Sequence, residues 1–283
     1  MNKDLFTKVN LINRKYEKFF IYGLLCFVFG IISTAILSSY SIPPLGLILL
    51  PLGIILIIVG GKGYSKIVVE LKTTIINAIL NQHVNNGIYR AKPGISSNLV
   101  YGSGVLRRAS KFSSEDYIEG NINNVHFCFS DVHLEDEVSN EDSTHYVTVF
   151  RGQFFQFQFN KKFTGDLFVM EGSSPLSSRK YQRIKLESVI FNSVFKVYAT
   201  NEHEAFYILT PHFMESLLEL EKHHPGKITM SFKENKLNIA IYNNIDSFKC
   251  PMFKKFNEEL INNFTNDLKL IEKIIRSLKL DQK

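Results

Sequence analysis

The stretch FFIYGLLCFVFGIISTAILSSY (residues 19–40), followed after one serine by IPPLGLILLPLGIILIIVG (42–60), decides how the rest of the chain is read. Neither run contains an ionisable acid or base. At 1.5 Å rise per residue the first extends ~33 Å as a helix, enough to cross a hydrocarbon core of ~30 Å. The second is slightly shorter and also long enough. Basic residues crowd the outer flanks: Lys3, Lys8, Arg14, Lys15 and Lys18 before the first run, and Lys62, Lys66 and Lys72 after the second. The connection around Ser38–Pro44 is uncharged. The positive-inside rule therefore predicts a two-span hairpin in the cell membrane, multi-pass, with both termini cytoplasmic. A cleaved signal peptide is disfavoured, because the first run is long and a second follows at once.

Gly23 and Gly30 are seven apart, as are Gly46, Gly53 and Gly60. Seven residues is about two helical turns, so each set lines one helix face and suits a tight antiparallel pair. Pro51 removes a backbone donor from the second span and is expected to kink it. With no ionisable group at membrane depth, a transport role is disfavoured and the hairpin reads as an anchor.

The formal charge of +6 and pI near 9.0 are mostly topological. The first 63 residues hold six Lys/Arg against Asp4 and Glu17, whereas the remainder holds 27 basic and 25 acidic residues. That near balance removes the main support for nucleic-acid binding. Cys26, Cys128 and Cys250 show no paired spacing, consistent with a reducing compartment.

Apolar residues at spacings of three and four predict a lead-in helix over 1–18 and a membrane-proximal helix over 61–84, flanking the hairpin at 19–60. Residues 85–283 read as a cytoplasmic α+β domain. Glu119–Ile122 and Val125–Phe129 flank Asn123-Asn124, a pair that tolerates positive φ and suits a hairpin turn. Further strands are expected at Tyr146–Phe150, Phe155–Phe159 (one phenylalanine face, one wet glutamine face), Leu167–Met170, Ile184–Leu186 and Val194–Tyr198. Gly172–Arg183 and the acidic stretch Glu135–Asp142 read as loops. Asn201 with Glu204 fits a capping box, and Thr210-Pro211 a cap followed by proline at the first helical position. Ile228–Phe232 and Leu237–Tyr242 form a strand pair. A stripe from Phe253 through Phe256, Leu260, Phe264, Leu268, Ile271 and Ile275 to Leu278 predicts a long C-terminal amphipathic helix. Short connections between successive strands make the sheet mainly antiparallel.

Several fragments occur in a characteristic order: Ser110-Lys-Phe112, Glu115-Asp116 with Gly120, Phe150-Arg-Gly152-Gln-Phe154, Phe159-Asn160 with Phe163-Thr-Gly165, Phe195-Lys-Val197-Tyr198 and Glu204-Ala205-Phe-Tyr207-Ile-Leu209-Thr-Pro211. The chain thereby resembles an uncharacterised bacterial membrane-protein family named domain of unknown function 3137, over most of residues 85–255. The resemblance implies an N-terminal membrane hairpin with a cytoplasmic domain, and no activity. Gln158 and Phe206 depart from that family's pattern, which has an acid and an arginine there.

Phosphate-loop, Rossmann, nucleophile-elbow, Cys-x-x-Cys and His-Glu-x-x-His motifs are absent from the sequence. The best candidates for chemistry are His126, Asp131, His133, Glu135 and His145. Asp131, His133 and Glu135 alternate, so on a strand they would share one face and could share a cation; a solvated face beside an acidic loop is the plainer reading. His223-His224 at a helix end complements the dipole. No catalytic or cofactor-binding residue and no cofactor is assigned. The expected function is a membrane-anchored binding or interaction module at the inner leaflet, its partner a protein, anionic lipid or small ligand. A membrane-tethered enzyme, such as a metal-dependent hydrolase using the His/Asp face, is the alternative. A homo-oligomer built on the hairpins is a third role; nucleic acid is not an expected partner.

Overall fold

The computed structural model describes residues 3–37, 46–140, 143–158, 164–172, 180–224, 226–250 and 252–281. The chain divides into two compact units: Met1–Ile75 with Lys249–Asn263, and Ile76–Phe248 with Phe264–Lys283.

In the first unit, α1 (Lys3–Leu37) and α2 (Gly46–His83) are each continuous, and α2 carries Pro51 within it. Both are long and apolar enough to cross a membrane. They pack antiparallel through the glycines. A Cβ on Gly53 would lie 2.8 Å from the Gly23 carbonyl oxygen, and one on Gly60 2.7 Å from the Phe20 amide nitrogen. Backbone touches backbone at these points, so no side chain fits. Away from that seam the apolar side chains face outward; Phe29 is 63% exposed and Ile48 69%.

The second unit is α+β. Among the described residues its sheet has nine strands in the order β1-β2-β3-β4-β9-β8-β5-β7-β6. These are β1 (Asn85–Arg90), β2 (Lys111–Ile122), β3 (Val125–Ser139), β4 (Thr144–Gln158), β5 (Leu167–Glu171), β6 (Gln182–Ile184), β7 (Phe195–Ala199), β8 (Lys227–Lys233) and β9 (Lys236–Tyr242). Every neighbouring pair is antiparallel and the sheet is open, ending at β1 and β6. Asn123 and Asn124, at φ 50° and 64°, make the β2–β3 turn that the sequence predicts. Short helices α3 (Ser97–Ser103), α4 (Val189–Val194) and α5 (Glu202–Ile208) precede α6 (Pro211–His223) and α7 (Glu258–Ser277).

Both sheet faces are buried at the centre. On one, Phe127, Phe129, Phe155 and Phe157 pack together, and Phe129 meets Phe248, which packs edge-on against Phe264 of α7. On the other, Phe154 lies in a cluster with Ile95, Val100, Val105, Val132, Leu134 and Phe150. The expectation of a wet glutamine face holds at Gln158, which is exposed, and is corrected at Gln156. Gln156 is half-buried and donates to Asn238 Oδ1 at 2.7 Å, because α3 and its flanking loops cover that side.

Other expectations change for local reasons. Tyr146–Phe150 and the phenylalanine run form one strand, β4, because Gly152 does not break the ladder. A Cβ there would lie 2.0 Å from the Ile241 carbonyl oxygen, so glycine is required by the neighbouring strand. The acidic segment from Glu135 to Ser139 is strand, with Glu135 paired to Lys111 at 3.2 Å and Asp136 to Arg107. The capping box is not formed. Asn201 caps α5, but Glu204 turns to Thr164 and Gly165, accepting from both amides at 2.8 Å. The C-terminal helix begins at Glu258, leaving Phe253 and Phe256 before it. The part of the Gly172–Arg183 loop at 173–179 and the strand end at Phe159 lie outside the described residues.

Two glycine substitutions separate these effects. Gly152→Ala should destabilise the protein by about 1–3 kcal/mol, the usual penalty of forcing atoms into packed space. Gly102→Ala, in α3 with nothing within 4 Å of the new Cβ, should stabilise by roughly 0.5–1 kcal/mol. Thermal unfolding of the two variants in detergent reads both; equal effects would refute the packing assigned to Gly152.

Candidate functional site

The loop between β1 and α3 runs Ala91-Lys92-Pro93-Gly94-Ile95-Ser96 and lies across β2 and β3. Ser130 of β3 ties it down. Its hydroxyl donates to the Glu115 carbonyl at 2.6 Å and accepts from the Ile95 amide at 3.1 Å. The Gly94 amide donates to the Ser114 carbonyl at 3.2 Å, and Ser114 Oγ to the Ile95 carbonyl at 2.7 Å. A Cβ on Gly94 would sit 2.5 Å from Ser130 Oγ, so only glycine admits this approach.

Where the loop crosses, the β2–β3 register shifts between Glu115 and Ile118. Asp116 occupies the irregularity at φ 55° and donates its amide to the Ala91 carbonyl at 3.0 Å. Aspartate tolerates this left-handed conformation better than most residues, and bulges re-aim side chains. The Asp116 carboxylate is 1% exposed and accepts from the Tyr89 hydroxyl.

Asp131 of β3, 7% exposed, approaches from the next strand. Its oxygens accept from the Ser247 amide at 2.6 Å and the Ser247 hydroxyl at 3.0 Å. Gln153 Nε2 donates to Ser247 Oγ at 2.7 Å, and Asn243 Nδ2 to Gln153 Oε1 at 3.2 Å, so the network reaches into β4 and the loop after β9. Asp246 in that loop completes the group, 3.7 Å from Arg151. One carboxylate oxygen each from Asp116, Asp131 and Asp246 lies within 4.8 Å of the others. Three carboxylate oxygens suit a hard divalent cation, and without one such close acids share protons. Burial, then the neighbouring Asp116 charge, pushes the Asp131 carboxyl well above the ordinary carboxylate range, against the lowering effect of the Ser247 bonds.

A cleft of about 760 Å³ opens beside this group. Asp131, Asp246 and Glu115 line it together with Lys92, His133 and Arg151, so both charge signs face the same space.

The sequence candidates are distributed unevenly over this region. Asp131 lies in the buried group. His133 lines the cleft, 3.0 Å from Thr148 Oγ1 and 4.0 Å from Glu135. Glu135 is engaged by Lys111, after a register shift between Leu134 and Glu135. His126 sits 3.4 Å from Glu119, and His145 is exposed near the β3–β4 hairpin tip. Asp131 thus joins Asp116 and Asp246 rather than the histidines. The Ser114-Glu115-Asp116 run leads into a register shift inside β2, with Asp116 in it. Asp246 carried only one signal, its place in a polar turn directly after an apolar strand.

Residues 148–280 match the family model described as Protein of unknown function (DUF3137). That is the family the sequence resembles. The ordered fragments from Phe150 onward fall inside the match, and those at 110–120 lie before it. None of the curated proteins matches the chain. Among solved structures it is similar to the crystal structure of the mycobacterial trehalose monomycolate transport factor A, TtfA, at 9% identity and a TM-score of 0.36, over 73% of this chain and 96% of that one. A likeness at that level carries no conclusion, and function is sought in this chain's own residues.

The raised Asp131 pKa has a definite sign. The folded state holds a proton that the unfolded state has released, so stability falls as pH rises from the ordinary carboxylate range through the raised value. Asp131→Asn keeps an acceptor for the Ser247 amide and needs no charge. It should flatten that decline and raise Tm at pH 8 by about 3 °C or more, with little gain at pH 4. Calorimetry of both proteins at the two pH values checks this; a variant equally destabilised at both would refute a proton-holding Asp131.

Proposed function

We propose that this protein is a membrane-anchored binding module. In this reading residues 19–40 and 42–60 span the cell membrane, 1–18 and 61–84 extend the spans into the cytoplasm, and 85–283 form a cytoplasmic ligand-binding domain. The outward-facing apolar side chains of α1 and α2 support the anchor, since lipid covers them where water would not. Lysine and arginine at the outer flanks support the orientation.

The single observation carrying the binding role is the cleft with its buried polar floor. Lys92, His133 and Arg151 line about 760 Å³ together with Glu115, Asp131 and Asp246, Lys92 lying 3.5 Å from Glu115 and Arg151 3.7 Å from Asp246, and the volume is within the size range of small-molecule sites. Mixed charge with an apolar patch at Ile95, Phe112 and Val132 fits a small zwitterionic or polar ligand. No nucleophile–base pair is needed for this role.

The three aspartates favour a second reading, a membrane-tethered metal-dependent hydrolase. Asp116, Asp131 and Asp246 would then be the ligands, and the cation would supply an activated water. The two readings separate cleanly. Mn²⁺ or Mg²⁺ that raises Tm for the wild type but not for Asp246→Asn, with the pH trend of stability reversed, would favour the enzyme.

Two measurements test the main reading on the full-length protein. A cysteine introduced at Ser41 should be labelled by an impermeant maleimide from outside the cell, and one at Asp281 only after permeabilisation. The opposite pattern would refute the orientation. A thermal-shift screen of small zwitterions and anions should find a class that raises Tm by roughly 5–10 °C at about a hundred times its Kd. Arg151→Ala and Lys92→Ala should lose most of that shift; an unaltered shift would place the ligand elsewhere.

A further inference from the structure

The segment Lys249-Cys-Pro-Met-Phe-Lys-Lys-Phe256 joins three lysines to two phenylalanines and contains no acid. Its described residues are tied to α1 and α2 within the first unit. The Phe256 amide donates to Asn10 Oδ1 at 2.9 Å, and Asn10 Nδ2 donates to the Phe256 carbonyl at 3.0 Å. Two turns closer to the apolar run, the Phe253 amide donates to Glu17 Oε1 at 3.1 Å. Tyr64 of α2 donates its hydroxyl to the Cys250 carbonyl at 3.0 Å. The Phe253 ring meets Phe20 edge-on, with centroids 6.3 Å apart.

These ties fix a depth. Phe20 stands at the start of the first uncharged run and Gly60 at the end of the second, and the two positions are in backbone contact. Phe253 is therefore held where both helices pass from charged to apolar sequence. At that level it is 54% exposed, so half its ring has no protein covering it. Lys249, Lys254 and Lys255 are exposed on the same segment, and none makes an ion pair with another described residue. The three line a recess of about 360 Å³ with Asn257 and Asn263. Glu259 shares the lining and leaves the lysines in excess.

We propose that Lys249, Phe253, Lys254 and Lys255 form an interfacial site for anionic lipid headgroups. Phe253 inserts at the boundary of headgroup and acyl chain, and the three ammonium groups meet lipid phosphates. An aromatic at the interface beside snorkelling lysines gains from both phases, whereas a free anion would leave the ring exposed. The site rests on the membrane-anchored reading of the hairpin.

The chain contains no tryptophan, so Phe253→Trp creates a single reporter in the full-length protein. Reconstituted into phosphatidylcholine vesicles with added phosphatidylglycerol, it should be quenched by bromine placed high on the acyl chain. Brominated phosphatidylglycerol should quench more than brominated phosphatidylcholine, and each lysine-to-alanine change at 249, 254 or 255 should lower that preference about fivefold. Inorganic phosphate at matching concentration should leave the signal unchanged; displacement by it would overturn a lipid occupant. Phe29→Trp, inside the first run, is the control for anchoring. If that reporter escapes brominated chains, the hairpin reading fails. If it is quenched while Phe253→Trp responds only to aqueous iodide, the interfacial site fails. Native mass spectrometry needs no reporter: the wild type should retain phosphatidylglycerol that the triple lysine-to-alanine variant loses, and equal retention would overturn the proposal.

Discussion

The Ser130 hydroxyl holds the site region together. It is fully buried, and it spends both of its roles on backbone, donating to β2 at Glu115 and accepting from the cleft loop at Ile95. Such a group is expensive to leave unmet, so strand and loop are fixed together. Because β2 is held on one side of its irregularity, the chain must turn sharply at Asp116, and that turn aims the Asp116 carboxylate inward. The loop after β9 is held from the other side, with the Asn244 amide bonded to the Arg151 carbonyl and the Phe248 amide to Asp267. Three acids from distant parts of the chain are brought together as a result.

Placing three carboxylates together is unfavourable unless something offsets it. Here Tyr89, Ser247 and Arg151 offset part of it, through one hydroxyl, one amide with its hydroxyl, and one guanidinium. Burial and the Asp116 charge in turn raise the Asp131 carboxyl, so it keeps a proton to higher pH than an ordinary aspartate. The hairpin obeys a different constraint. It relies on close backbone approach at Gly23, Gly53 and Gly60.

What the sequence made legible was local. Apolar runs, the Asn123-Asn124 turn, the Thr210-Pro211 helix start and the strand pair after it depend on residues a few positions apart. The misreadings were all cases in which a distant residue took over. Strand β4 was divided at Gly152 because the Ile241 carbonyl that packs against that glycine from the neighbouring strand cannot be seen from residues 148–156. Glu204 looked like a cap, but Thr164 offered it a hydroxyl and an amide. The second buried face of β4 needed α3, whose short sequence has too little periodicity to be recognised. The site was half visible: Asp131 stood out because it alternates with His133 and Glu135. Its actual partners, Asp116 and Asp246, lie on either side in sequence and share no pattern with it.

The β3–β4 hairpin outlasts the sheet that carries it. From Asp136 to Ser139 and Thr144 to Val147 the two strands pair only with each other, after β2 ends and before β9 joins. A two-stranded ribbon in water is marginally stable on its own. Beyond Asp136 and Glu137, which Arg107 and Ser110 still hold, its amides are expected to exchange by local opening, before those of the Phe129–Phe155 pair. The described part of the hairpin is therefore graded, held in the full sheet at its aromatic root and by its partner strand alone at Val138 and Ser139.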